Sequence, residues 1–164
     1  MREIILAADR FISRLVMAAA CISLSVAALT GMFQIFTRFV LEQPSAWTEV
    51  LTRTTIIWSV YLGLSVALRG GALLSVDLAY RVAAGTPFLR PLQTMIMICT
   101  LTFLVILVWF GLDVVQRVRF QTLAGLEISI SWAYAAIPVG AFFGILAVIA
   151  NFLDPRRGEI ETQR

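Results

Sequence analysis

The chain contains no histidine and no lysine, and only two cysteines in 164 residues. Without histidine there is no b-type haem held by paired imidazoles, none of the usual zinc sites and no imidazole acid–base chemistry. Cys21 and Cys99 lie far apart in apolar runs and read as small hydrophobes rather than as a disulfide or a metal pair. Charge is scarce as well: 14% of residues are charged against 60% hydrophobic, and the mean hydropathy is +0.90. That composition is far from a soluble domain's. No Walker, dinucleotide-binding or nucleophile-elbow spacing occurs. These absences leave an all-α integral membrane protein with no enzymatic activity, cofactor or metal site expected.

The 13 arginines give a net charge of +3 and a pI near 9.4, but they are scattered singly and form no nucleic-acid patch. Their positions delimit spans instead. Leu15 to Thr37 is 23 residues without a charge, bracketed by Arg14 and Arg38, and long enough to cross a bilayer with some tilt. It exceeds a signal peptide's apolar region, and further spans follow. A lipoprotein signal ending at Cys21 would have only about six apolar residues before it, too few for such a region.

The second span must use Pro44-Ser-Ala-Trp-Thr-Glu-Val-Leu-Thr-Arg-Thr-Thr-Ile-Ile-Trp58, because the charge-free part, Thr54 to Leu68, is 15 residues and too short alone. Glu49 and Arg53 therefore belong to the helix, near one interface. A polar connection carrying Asp77 and Arg81 follows, then Pro91 opens a third span. The expected helices are 15–38, 46–71, 91–112 and 129–153, forming one membrane domain over 1–153 with a polar tail at 154–164. Nine arginines fall on the side of the termini and the middle connection against four on the other, so both termini are expected in the cytoplasm.

Small residues recur every fourth position as Ser23, Ala27, Gly31, as Ser59, Gly63, Ala67, Gly71, and as Ala136, Gly140, Gly144. Such stripes permit close helix approach and predict a packed bundle. The third helix has no stripe and is expected to face lipid or a partner. Trp47, Trp132 and Tyr134 fall near the outer interface, whereas Trp58 sits deeper and reads as packing. Pro138 is placed to kink the last helix.

Three spans contain no ionisable Asp, Glu or Arg, and a proton-coupled four-helix exporter would be expected to carry a carboxylate within the first. Neither an inverted repeat nor a matched pair of broken helices is evident.

Trp47-Thr-Glu49-Val-Leu-Thr-Arg53, followed by Trp58, Gly63, Arg69, Gly71 and Val76-Asp77, resembles the small membrane subunit (DctQ type) of tripartite ATP-independent periplasmic (TRAP) transporters. Trp132-Ala-Tyr134 and then Pro138 and Gly140 are similar to that family's last-helix pattern. One departure is Leu73, where the family commonly has histidine. The resemblance implies an accessory subunit of the bacterial inner membrane. It would pair with a large DctM-type subunit that moves the solute with sodium, while a periplasmic solute-binding protein delivers that solute, an organic acid or a relative of one. The residues expected to matter for assembly are Trp47, Glu49, Arg53, Trp58, Gly63, Arg69, Asp77, Trp132, Tyr134, Pro138 and Gly140. The rival from a different class is a self-sufficient homo-oligomeric carrier or channel lined by Glu49, Arg53 and Arg69.

Overall fold

The computed structural model describes residues 2–43, 45–70, 89–123, 125 and 127–153. Gly71, Leu73, Asp77 and Arg81 of the middle connection, and the tail from 154, lie outside these residues.

The first helix, α1 (Arg2–Phe39), starts well before the expected residue 15. The charges at Arg10 and Arg14 mark where hydrocarbon is expected to stop, but nothing between them breaks a helix: the first glycine is Gly31 and the first proline Pro44. At 38 residues α1 is about 57 Å long, nearly twice the thickness of a hydrocarbon core. It ends where Glu42 adopts a left-handed backbone (φ 54°) and the Gln43 N–H donates to the Thr37 carbonyl over 3.1 Å.

Ser45 begins α2 (Ala46–Gly70). The Thr48 hydroxyl, fully buried, donates to the Ser45 carbonyl at 2.7 Å. The Ser45 hydroxyl in turn donates to Thr48 Oγ1 at 2.7 Å. A hydroxyl pair at this first turn takes the place of water for groups that a membrane helix must satisfy internally.

Helix α3 (Leu89–Arg117) outruns its charge-free core at both ends, again because Arg90, Asp113 and Arg117 limit the apolar part rather than the helix. The last span is divided. A short α4 (Ser131–Tyr134) is separated at Ala135 from α5 (Ala136–Leu153). Pro138 explains the break: it has no N–H for the Tyr134 carbonyl, and its ring crowds that carbonyl. Four segments have the length and hydropathy to cross a membrane: Phe11–Phe39, Ala46–Arg69, Thr94–Arg117 and Ser131–Asn151.

These helices do not close into the expected bundle. Among the described residues α1 packs on α2, α2 on α5 and α5 on α3, while the backbones of α1 and α3, and of α2 and α3, stay apart. The order across the layer is α1-α2-α5-α3. Lighter contact between α1 and α5 curves the row, so that Val16, Ala20 and Leu62 are buried with Trp58 and Phe143 against them.

Among the described glycines, the closest approach is at the α2–α5 crossing. A Cβ on Gly140 would stand 2.6 Å from Tyr61 Cβ and 2.7 Å from its carbonyl oxygen. Gly144 is also hemmed in, by Leu68 and Leu104 at 3.2–3.3 Å, and lets side chains from α2 and α3 meet over α5. Leu68, Leu104, Ala141, Ala147 and Val148 form the larger core there.

The stripe in α5 is thus a true contact face. In α1, Ala27 is buried and Gly31 lies 3.7 Å from Thr52. The stripe in α2 is mixed. Ser59 donates to the Ala20 carbonyl of α1 at 3.1 Å, but a Cβ on Gly63 would meet nothing within 4 Å. Period-four spacing does not make Gly63 a close-approach point within this chain.

Gly140→Ala is expected to force α2 and α5 apart and cost about 1–3 kcal/mol, as overpacking does in filled cores. Gly63→Ala should be neutral or slightly stabilising because its site is open. Thermal unfolding followed by circular dichroism in one detergent would show a clearly lower midpoint for the first only; equal midpoints would refute the crossing.

Candidate functional site

Helix polarity brings the two connecting loops to one end of the molecule. The pairs Ala20–Ser59 and Thr30–Thr52 show that α1 and α2 are antiparallel. Tyr61–Gly140 and Leu68–Gly144 make α2 and α5 parallel, and Gly111–Pro138 with Leu104–Gly144 make α3 antiparallel to α5. The end of α1, the start of α2, the end of α3 and α4 therefore lie together.

Glu49 and Arg53 stand at this end. Arg53 Nη2 donates to Glu49 Oε1, and both side chains are exposed, 75% for Arg53 and 49% for Glu49. The two residues continue down α2 into Ile56 and Val60, which are also exposed. Trp47 packs its ring 6.1 Å from that of Phe33 on α1. Among the described residues the charged pair makes no hydrogen bond or ion pair beyond its own. It crowns an uncovered face of α2.

Trp58 lies on the opposite, inward side of α2. Its indole Nε1 donates to the Trp132 carbonyl at 3.0 Å, tying α2 to the start of the divided helix. Tyr134 is exposed, while Pro138 is buried against Gly111 of α3, where a Cβ would lie 3.0 Å from Pro138 Cδ. Gly140 follows two residues further along α5. Arg69, at the far end of α2, is only 2% exposed, so its charge is enclosed within the chain rather than turned to a headgroup. Trp58, Trp132, Pro138 and Gly140 thus form one neighbourhood; Glu49, Arg53 and Gly63 belong to another face, and Arg69 to the other end. Asp77 lies outside the described residues.

Several contributors at the loop end escaped the sequence reading. Asp113 accepts from Arg117 Nε at 2.9 Å, a second exposed ion pair with the spacing of Glu49 and Arg53. Thr52 donates to Thr30, whose own proton goes to the Val26 carbonyl at 2.8 Å. The chain between α3 and α4 forms a small hairpin, with an antiparallel bridge between Thr122 and Ser129. At its tip Gly125 has φ +98°, and a Cβ there would also fall 3.1 Å from the Trp47 nitrogen. Only glycine satisfies both demands. Gly125 beside Glu127 was the available signal, but which helix the tip rests on is a long-range fact.

The geometry is that of a helical membrane protein whose polar groups secure helix ends and crossings. Comparison with known proteins agrees. Residues 27–158 match the family described as tripartite ATP-independent periplasmic transporters, DctQ component, and the chain belongs to that family. It is also 28% identical over 106 residues to the isethionate TRAP transporter permease protein DctMQ of Oleidesulfovibrio alaskensis. That match covers 63% of this chain but only 16% of the relative's length.

Trp58→Phe keeps the ring and removes the donor to the Trp132 carbonyl. Interhelical hydrogen bonds in membranes average about 0.6 kcal/mol, so a small loss of unfolding free energy is expected. For the exposed pair, a double-mutant cycle on Glu49→Ala and Arg53→Ala in the isolated chain should give a coupling of at most about 0.5 kcal/mol. A coupling of several kcal/mol would show the pair to be buried.

Proposed function

We propose that this chain is the small, accessory permease subunit of a sodium-coupled TRAP transporter in the bacterial inner membrane, with both termini in the cytoplasm. A large DctM-type subunit carries the solute, an organic acid-type anion, and a periplasmic binding protein delivers it. Family membership over most of the chain carries this reading. The relative's name joins DctM and DctQ in one permease, and the large share of that protein beyond the matched part leaves room for a far bigger partner. Isethionate, in the same name, is a small organic anion of the expected kind.

The structure supports an accessory role in two ways. Ionisable side chains in the described spans, such as Arg14, Arg38, Glu49, Arg53, Arg69, Asp113 and Arg117, lie towards the helix ends. An open row also presents long apolar faces. Ile22, Leu29, Met32 and Ile35 of α1 and Phe103, Ile106, Trp109 and Phe110 of α3 are all exposed. Such a layer suits a scaffold laid along a larger membrane protein, with the remaining faces turned to lipid. The Glu49–Arg53 pair is then placed to meet the partner at the outer interface, where shielding from water strengthens a charge pair.

Co-expression with the large permease subunit should yield a detergent-stable complex, and deleting this chain alone should abolish solute uptake. Glu49→Ala and Arg53→Ala should each lower the yield of complex and the uptake while leaving this chain's own thermal stability nearly unchanged. Failure of any complex to form overturns the proposal; wild-type complex yield in both variants removes the pair from the interface.

A further inference from the structure

The hairpin between α3 and α4 presents an aromatic group that the fold itself does not use. Phe120 is 81% exposed, the most exposed of the large apolar side chains among the described residues, and the Arg119 guanidinium carbon lies 4.4 Å from its ring centre. The segment holding it is well fixed. Ser129 Oγ donates to the Arg119 carbonyl at 2.8 Å, the Ile130 N–H donates to the Gln121 carbonyl at 2.9 Å, and the Leu123 N–H to the Ile128 carbonyl at 2.8 Å. The tip is seated on the first turn of α2 at Gly125. Two further exposed indoles stand at the same end: Trp132 at 63% and Trp47 at 43%.

Depth decides what covers Phe120. The apolar part of α3 ends at Leu112, and the helix continues to Arg117 before the chain turns. Four or five further residues add about 6–8 Å along the helix axis, comparable to the headgroup layer on one side of a bilayer, about 5–8 Å. The hairpin then returns the chain to Trp132, where the last span begins. Phe120 thus lies between two membrane entry points, within a layer that favours amphipathic aromatic groups and arginine. A ring with a guanidinium held over it suits that layer: the ring meets acyl chains and glycerol carbons, and the cation meets lipid phosphate.

We propose that the 118–130 hairpin is a membrane-interface anchor, with Phe120 inserted into the headgroup region of the adjacent leaflet, Arg119 against phosphate, and Trp132 and Trp47 completing an aromatic ring at that level. The occupant is the phospholipid surface, continuous with the lipid around the spans. The hairpin thereby fixes how deeply the loop end sits and how far Glu49 and Arg53 stand from water. This rests on the membrane-spanning reading of α3 and α5, but not on any partner or solute.

The test uses the full chain with Cys21→Ala and Cys99→Ala, spin-labelled singly at Phe120→Cys, Glu42→Cys or Phe103→Cys. It is reconstituted in phosphatidylethanolamine and phosphatidylglycerol vesicles. Accessibility to oxygen, which concentrates in lipid, is compared with accessibility to a water-soluble nickel chelate. The label at 120 should show an oxygen preference well above that at 42 and below that at 103, with or without the large permease subunit. A label at 120 as open to nickel as the one at 42 overturns the anchor. So does one shielded from both agents only after the large subunit is added, which would make the hairpin a protein contact. If the label at 103 itself reads as aqueous, the spanning reading fails, a result distinct from failure of the anchor alone.

Discussion

The crossing of α2 over Gly140 is the contact on which the rest of this structure depends. At that point the backbone of α5 lies against Tyr61 with no room for a Cβ, the closest approach at any of the described glycines. Among the described long helices, α2 and α5 are the two with heavy packing on both sides, α2 between α1 and α5, and α5 between α2 and α3. Helix α1 joins through α2, using hydroxyl-to-carbonyl and hydroxyl-to-hydroxyl bonds rather than glycine contact. In lipid there is little hydrophobic force between helices, so close packing and such bonds must hold the layer together. Loss of the α2–α5 contact would leave two helix pairs joined only by the lighter α1–α5 and α2–α4 contacts.

The break at Ala135 belongs to the same region. Pro138 frees a carbonyl in α4 and packs on Gly111, while Trp58 reaches across from α2 to the Trp132 carbonyl. A proline that would weaken an isolated membrane helix is accommodated because neighbouring helices occupy the space and hydrogen-bond around it. Proline, glycine and tryptophan here are three parts of one joint.

Much of this was legible in the sequence because apolar length and small-residue spacing are local properties. The four spans, the contact face of α5 through Gly140 and Gly144, and the inward role of Trp58 could all be read from the chain. Helix ends were less legible. Charges at Arg10, Arg14, Asp113 and Arg117 limit hydrocarbon rather than helix, so α1 and α3 run past them. Helix order was not legible either, since small stripes show that a helix has a close neighbour but not which neighbour. Gly63 shares its spacing with Ser59 yet meets open space, and the approach of Gly111 to Pro138 had no periodic signal. The Glu49–Arg53 pair was legible as a pair, but its exposure depended on how the row curves.

An open row with an enclosed arginine at one end, exposed ion pairs at the other and broad apolar faces between them suits the proposed accessory role better than that of a conduit. The central claim is that transport requires a second, larger chain. The most direct measurement is solute flux into proteoliposomes holding this chain alone, the large permease subunit alone, or both, with the binding protein and a sodium gradient supplied. The account predicts flux only when both membrane chains are present. Sodium-driven uptake by vesicles holding this chain alone would contradict it.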